Sequence, residues 1–207
     1  MNEGYEEVLG AIASSDPTPG GGSVAALSLA HAQSLTIMVA RLTEGKEKWV
    51  DGHDSAEFII SKWSPKIQHA IALAEKDALA FDQVMSAYRL PKGNETEMKY
   101  REESIREATI GAAKAPLETA TEALDLLSDI GEFSNSCNSN ALTDLASAAE
   151  LSNSAIIIAS MNVRINLDFV EGEDVDEIST RLDDVVRKSS SSLEKIRSKV
   201  SERLGWK

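Results

Sequence analysis

The chain has 207 residues, 42% of them apolar, and its 34 acidic and 21 basic residues give a formal net charge of -13. That balance lacks the basic stripe from which nucleic-acid binders release phosphate counterions, and it disfavours an anionic membrane surface for the same reason. A single cysteine, Cys137, rules out an internal disulfide and a multi-cysteine metal site, and suits a reducing, intracellular setting.

Met1 to Gly10 is acidic and lacks the basic and apolar regions of a signal peptide, and no unbroken run of about 18 apolar residues occurs. The expected location is therefore the cytoplasm. The length suits one domain over 1–207 with a sizeable core. Strand signals are nearly absent, so the expected class is all-α, a bundle of six to eight helices with kinked long helices.

In chain order, the first helix covers about 5–13, with Tyr5, Val8, Leu9 and Ile12 on one face. Pro17 and Pro19 stop it. The second covers about 23–42. Val24, Leu27, His31, Leu35, Met38 and Leu42 mark one stripe, while Ala25, Ala26, Leu29, Ala32 and Val39 lie opposite. A helix apolar on nearly all sides is expected at the centre of a bundle.

The third segment, about 55–88, is kinked or restarted at Pro65. The fourth, about 95–127, opens with Asn94 and Glu97 in a capping box and is expected to kink or split at Pro116. The fifth covers about 142–167. The sixth, about 175–203, opens with a second box, Asp174 and Glu177. It carries Ile178, Leu182, Val185, Ser189, Leu193, Ile196 and Val200 on one face, as an outer amphipathic helix does.

Pro19-Gly20-Gly21-Gly22-Ser23 is the first candidate site. Glycines allow close backbone approach, and Ser23 as an N-cap leaves helix-start amides able to hold an anion or a polarised carbonyl. A tight helix–helix joint is the alternative. Asp77 shares the spacing of Leu73, Phe81 and Val84 and so faces the core. Burial raises a carboxylic acid's pKa and suits it to proton transfer, whereas a structural hydrogen bond or a solvent-facing position needs no such role. Asn162 and Asn166 stand four apart on one helical face, either as paired amides reading a heterocycle or as helix C-capping and interhelical hydrogen-bonding groups. Asn138 and Asp144 bracket the polar entry to the fifth helix. Lys92 and Arg101 flank the turn into the fourth, where they meet a ligand carboxylate or simply solvent. His31, His53 and His69 share no ligand spacing, so no metal is expected.

Taken together, these pieces resemble the formiminotransferase-cyclodeaminase C-terminal domain family, which includes free-standing methenyltetrahydrofolate cyclohydrolases and cyclodeaminases. The resemblance runs from Tyr5 to about Arg203. It rests on Thr18 to Ala26, Leu42 to Lys46, Asp77-Ala78-Leu79-Ala80-Phe81, Arg89-Leu90-Pro91-Lys92, Ala115-Pro116-Leu117, Asn138, Asp144-Leu145 and Asn162-Val163-Arg164-Ile165-Asn166-Leu167.

It implies an all-helical homodimer that binds a tetrahydrofolate derivative and needs no further cofactor. It implies Asp77 as the acid–base residue. Gly20, Gly21, Gly22, Ser23, Lys92, Arg101, Asn138, Asp144, Asn162 and Asn166 are the expected substrate-binding set. The implied reaction is deamination of 5-formiminotetrahydrofolate to 5,10-methenyltetrahydrofolate and ammonia. Hydrolysis of the methenyl compound to 10-formyltetrahydrofolate is the second reading, and a non-catalytic folate-binding or scaffolding dimer the third.

Overall fold

A computed structural model describes residues 4–206; Met1–Glu3 of the acidic start and Lys207 lie outside the described residues. Among the described residues there is no strand. The helices are α1 (Tyr5–Ile12), α2 (Gly21–Thr43), α3 (His53–Trp63), α4 (Lys66–Tyr88), α5 (Glu95–Phe133), α6 (Leu142–Leu167) and α7 (Glu173–Leu204). Short 3-10 turns at Glu47–Gly52 and Ser139–Ala141 lead into α3 and α6. The all-α class and the helix number are as the periodicity implies.

α5 and α6 pack against each other at the centre. α2 lies on α6 and α4, and α7 covers α5 and α6 from another side. Small residues set how closely the rods approach. Ala25, Ala26, Ala32, Ala120, Ala123, Ala148, Ala149, Ala155 and Ala159 are fully buried, interleaved with Leu29, Leu126, Leu145 and Ile156. The α7 stripe from Ile178 to Val200 is buried at every position named for it. Arg203 ties the end of α7 to the loop after α5, donating to the Ser134 and Cys137 carbonyls at 2.7 Å each. Cys137 beneath it is fully buried, and that burial pushes its thiol pKa up.

Five local readings are corrected. α2 is not enclosed on all sides: Met38 and Leu42 on its first stripe are exposed, while the opposite stripe is buried. α2 is also long and apolar enough to cross a membrane although its apolar residues form no unbroken run, but most of it is buried as core. Ser23 is not the N-cap; Gly20 is, and Ser23 sits buried inside the first turn. Pro116 does not split its helix, since α5 is continuous over 39 residues. Asp174 does not cap α7; Gly172 holds that position, and Asp174 pairs instead with Arg106 at 2.6 Å.

Pro65 does divide the third segment, standing as the N-cap of α4. Asn94 caps α5 by accepting the Glu97 amide at 2.9 Å. The Glu97 carboxylate reaches Gly93 N–H rather than completing the box on Asn94.

A cleft between α2, α4, α5 and α6

Asp77 and the glycine turn, 54 residues apart, meet. In its first turn α2 places Gly22 against α4 with no room between them: a Cβ built on Gly22 falls 2.0 Å from Asp77 Oδ1. Glycine is therefore required by approach rather than by backbone angle. The Asp77 carboxylate accepts the Ser23 amide, and Ser23 Oγ stands 3.2 Å from Oδ2. The same hydroxyl also lies 3.0 Å from the Ala74 carbonyl oxygen. Burial raises the Asp77 pKa above its ordinary value, and the two Ser23 hydrogen bonds oppose that rise without cancelling it. The Ser23 amide, expected to face a ligand, is engaged by the protein's own carboxylate.

Around Asp77 a cleft of about 440 Å³ opens between the four helices. The turn contributes Pro17, Thr18, Gly20, Gly21 and Gly22; the Thr18–Pro19 peptide is cis. One face of α4 contributes Asp77, Phe81, Val84 and Tyr88, α5 contributes Thr109 and Ala112, and the end of α6 contributes Asn162, Ile165 and Asn166, followed by Phe169. Gly21 faces Asn162, whose Nδ2 lies 3.2 Å from a Cβ built there. The apolar side chains offer a slot for a flat ring, and the polar groups converge near Asp77.

Tyr88, Thr109, Ile165 and Phe169 were not singled out from the sequence. Helical spacing marks most of them: Tyr88 continues the series 77, 81, 84, and Ile165 and Phe169 continue 162 and 166.

Other expected residues lie elsewhere. Arg101 donates from Nε and Nη2 to the Tyr88 carbonyl and stacks over the Tyr88 ring, so it closes the end of α4 behind the cleft wall. Lys92 is exposed in the turn between α4 and α5. Asn138 caps the turn before α6, donating to the Leu42 carbonyl and accepting the Asn140 amide. Asp144 begins α6, eighteen residues before Asn162, which at 1.5 Å per residue is about 27 Å from the cleft. Among the described residues no group of three or more His, Cys, Asp or Glu side chains is placed to hold a metal.

A larger groove of about 610 Å³ runs between α4, α5 and α7. Within it Lys76 pairs with Glu118, while Glu122 is engaged from outside the groove by Gln33, Lys66 and His69. The smaller cleft is the candidate because it holds a half-buried carboxylate whose pKa burial raises, beside polar groups and an apolar slot.

A sequence model described as formiminotransferase-cyclodeaminase matches residues 4–184. A methenyltetrahydrofolate cyclohydrolase of Methylorubrum extorquens is 34% identical over 168 residues, covering 80% of this chain and 79% of that protein. The formimidoyltransferase-cyclodeaminase of Mus musculus is 30% identical over 149 residues, 72% of this chain but 28% of the mouse protein. The crystal structure of a formiminotetrahydrofolate cyclodeaminase from Thermotoga maritima superposes with a TM-score of 0.79 at 26% identity, over 97% of this chain and 94% of that one.

Proposed function

The chain belongs to the formiminotransferase-cyclodeaminase family, and from that membership we propose that it is a folate one-carbon enzyme, acting as one domain. The proposed reaction is closure of 5-formiminotetrahydrofolate to 5,10-methenyltetrahydrofolate with release of ammonia. The observation that carries it is the Asp77 carboxylate, half-buried at the cleft, without an ion pair among the described residues and held on Ser23.

Folate N10 attacks the carbon of the protonated formimino group on N5. The N10 proton passes to Asp77, and Asp77 returns it to the amino nitrogen, which departs as ammonia. The methenyl bridge keeps the positive charge, so atoms and charge balance. One carboxylate serves as base and then acid because its partner adapts. When Asp77 is ionised, Ser23 Oγ–H donates to it. When Asp77 is protonated, it donates to Ser23 Oγ, whose own proton turns to the Ala74 carbonyl. Gly21 and Asn162, with Phe81 and Ile165, form the proposed walls for the pterin.

The Methylorubrum relative favours a second reading. In it, water attacks the methenyl carbon and gives one proton to Asp77. The C–N5 bond then breaks as the adduct hydroxyl becomes the formyl carbonyl, its proton passes to N5, and 10-formyltetrahydrofolate results while Asp77 releases the first proton to solvent. One experiment separates the two. Purified protein is given 5-formiminotetrahydrofolate, with ammonia and methenyl product measured together. In parallel, supplied methenyltetrahydrofolate is followed for loss above its spontaneous rate. Ammonia in step with methenyl product is expected. Catalysed loss of the methenyl compound without ammonia release replaces the first reading by the second, and neither change, with folate bound, leaves the non-catalytic binder.

The protein is further proposed to act in the cytoplasm as a homodimer. The exposed apolar side chains Tyr5, Leu9, Met38, Leu42, Ile157 and Met161 on α1, α2 and α6 support the dimer, and covering them is the expected use of such surface. Sedimentation equilibrium is expected to give twice the chain mass; a monomer at micromolar concentration removes the dimer.

A further inference from the structure

Asn166 Nδ2 lies 3.2 Å from the carbonyl oxygen of Ala112 and 2.8 Å from that of Asn162. The first acceptor is one that α5 cannot satisfy alone. In a continuous helix the Ala112 carbonyl accepts the N–H of residue 116, and residue 116 is proline, which has none. Ala112 is nevertheless buried, on a helix that continues unbroken past the proline. A buried carbonyl without a donor bears the full penalty of its lost hydration. Asn166, reaching across from α6, supplies the missing donor.

The amide has two protons, and two carbonyl oxygens face its nitrogen. Turning it over would set Oδ1 against both of them, so its orientation is determined by the neighbours. Oδ1 is left as the polar atom that Asn166 offers to the cleft. The Thr109 hydroxyl donates to the Ile105 carbonyl, and Asn162 Nδ2 gives one of its two protons to the Ile158 carbonyl. Ionised Asp77 only accepts. Around Asp77 and Asn166 the wall therefore presents acceptors and complements N–H donors on a ligand edge.

We propose that Asn166 is a positioning and recognition residue: it stands in for the N–H that Pro116 lacks, and it is thereby locked with Oδ1 presented as acceptor to an N–H of a nitrogen heterocycle. Identifying that heterocycle as the reduced pterin rests on the function proposed above; the lock itself does not.

The test is a cycle of Asn166→Ala, Pro116→Ala and the double variant, with thermal unfolding measured without ligand and KM and kcat measured with the folate substrate. Asn166→Ala is expected to lower the unfolding midpoint by roughly 5 °C. In the Pro116→Ala background the same change is expected to lower it far less, because the restored N–H at position 116 reaches the Ala112 carbonyl. If Asn166→Ala does not fold, folding of the double variant supports the lock. KM is expected to rise about tenfold in both proteins that lack Asn166, with kcat within about threefold.

Additive midpoint losses overturn the lock. A KM that recovers together with stability in the double variant overturns recognition through Oδ1. If the wild-type protein binds no folate, the pterin assignment falls with the proposed function, while the ligand-free unfolding cycle still decides the lock.

Discussion

Asp77→Asn is expected to lower kcat by about 10²–10⁴-fold while leaving the fold intact, because it removes proton transfer and little else. The substitution mimics the protonated acid. The amide oxygen accepts the Ser23 N–H, and the amide nitrogen donates to Ser23 Oγ, whose proton turns to the Ala74 carbonyl 3.0 Å away. Stability gives an independent reading. Burial raises the native Asp77 pKa above the ordinary 3.8, so the folded protein holds this proton more tightly than the unfolded chain does. The stabilising contribution of that proton is complete below pH 3.8 and is lost as pH rises through the native pKa. The unfolding midpoint of Asp77→Asn, relative to wild type, is therefore expected to climb over that window and stay level above it. Unfolding scans from pH 3 to 8 measure this. A variant with full turnover, or one whose relative stability falls with rising pH, would sink the acid–base assignment.

Gly22→Ala carries the second large effect, and in the opposite sense from the usual one. Glycine to alanine within a helix ordinarily stabilises by about 0.5–1 kcal/mol. At position 22 the added methyl falls within 2.5 Å of three atoms of the Asp77 carboxyl group: Oδ1, Cγ and Oδ2. The short Asp77 side chain cannot retreat without leaving Ser23, and α2 cannot move off α4 without opening the core. Overpacking of this kind costs about 1–3 kcal/mol, and the displaced carboxylate loses its alignment with the reacting nitrogen. The expected result is a fall in kcat of about 100-fold or more, together with a lowered unfolding midpoint. Gly111→Ala in α5 is the control: a methyl there meets nothing within 4 Å, so the midpoint is expected to rise and turnover to hold. A Gly22→Ala protein as stable and active as wild type would remove the close approach from the mechanism.

Much of the helical layout was legible in the residues. The spacing of apolar residues placed α6 within a residue of its observed start and named every buried position of the α7 stripe. It set Asp77 with Leu73, Phe81 and Val84 on a core-facing stripe, of which only Leu73 is buried; Asp77 and Val84 are half-buried and Phe81 is exposed, because this stretch of α4 lines the cleft. Proline was harder to read, because its local effect depends on what lies nearby. Pro65 stands at a helix start, where a missing N–H matters little. Pro116 sits mid-helix, where the loss is made good from α6. Asn138 and Asp144, bracketing the polar entry to the fifth helix, joined Asn162 in the expected substrate-binding set. A helix is a rod, however: Asp144 stands eighteen residues before Asn162 at the far end of α6, and Asn138 precedes that helix.

The sequence by itself determined where the helices run and which face of most of them is apolar, because both follow from contacts three and four residues apart. The tertiary structure alone decided that the missing Cβ of Gly22 is the space taken by Asp77, that the Ser23 amide serves that carboxylate rather than a ligand, and that Asn166 fills the gap left by Pro116. Each depends on how closely and in what register two rods dock. That register is set by the summed packing of α2, α4, α5 and α6, and periodicity within any one helix does not contain it.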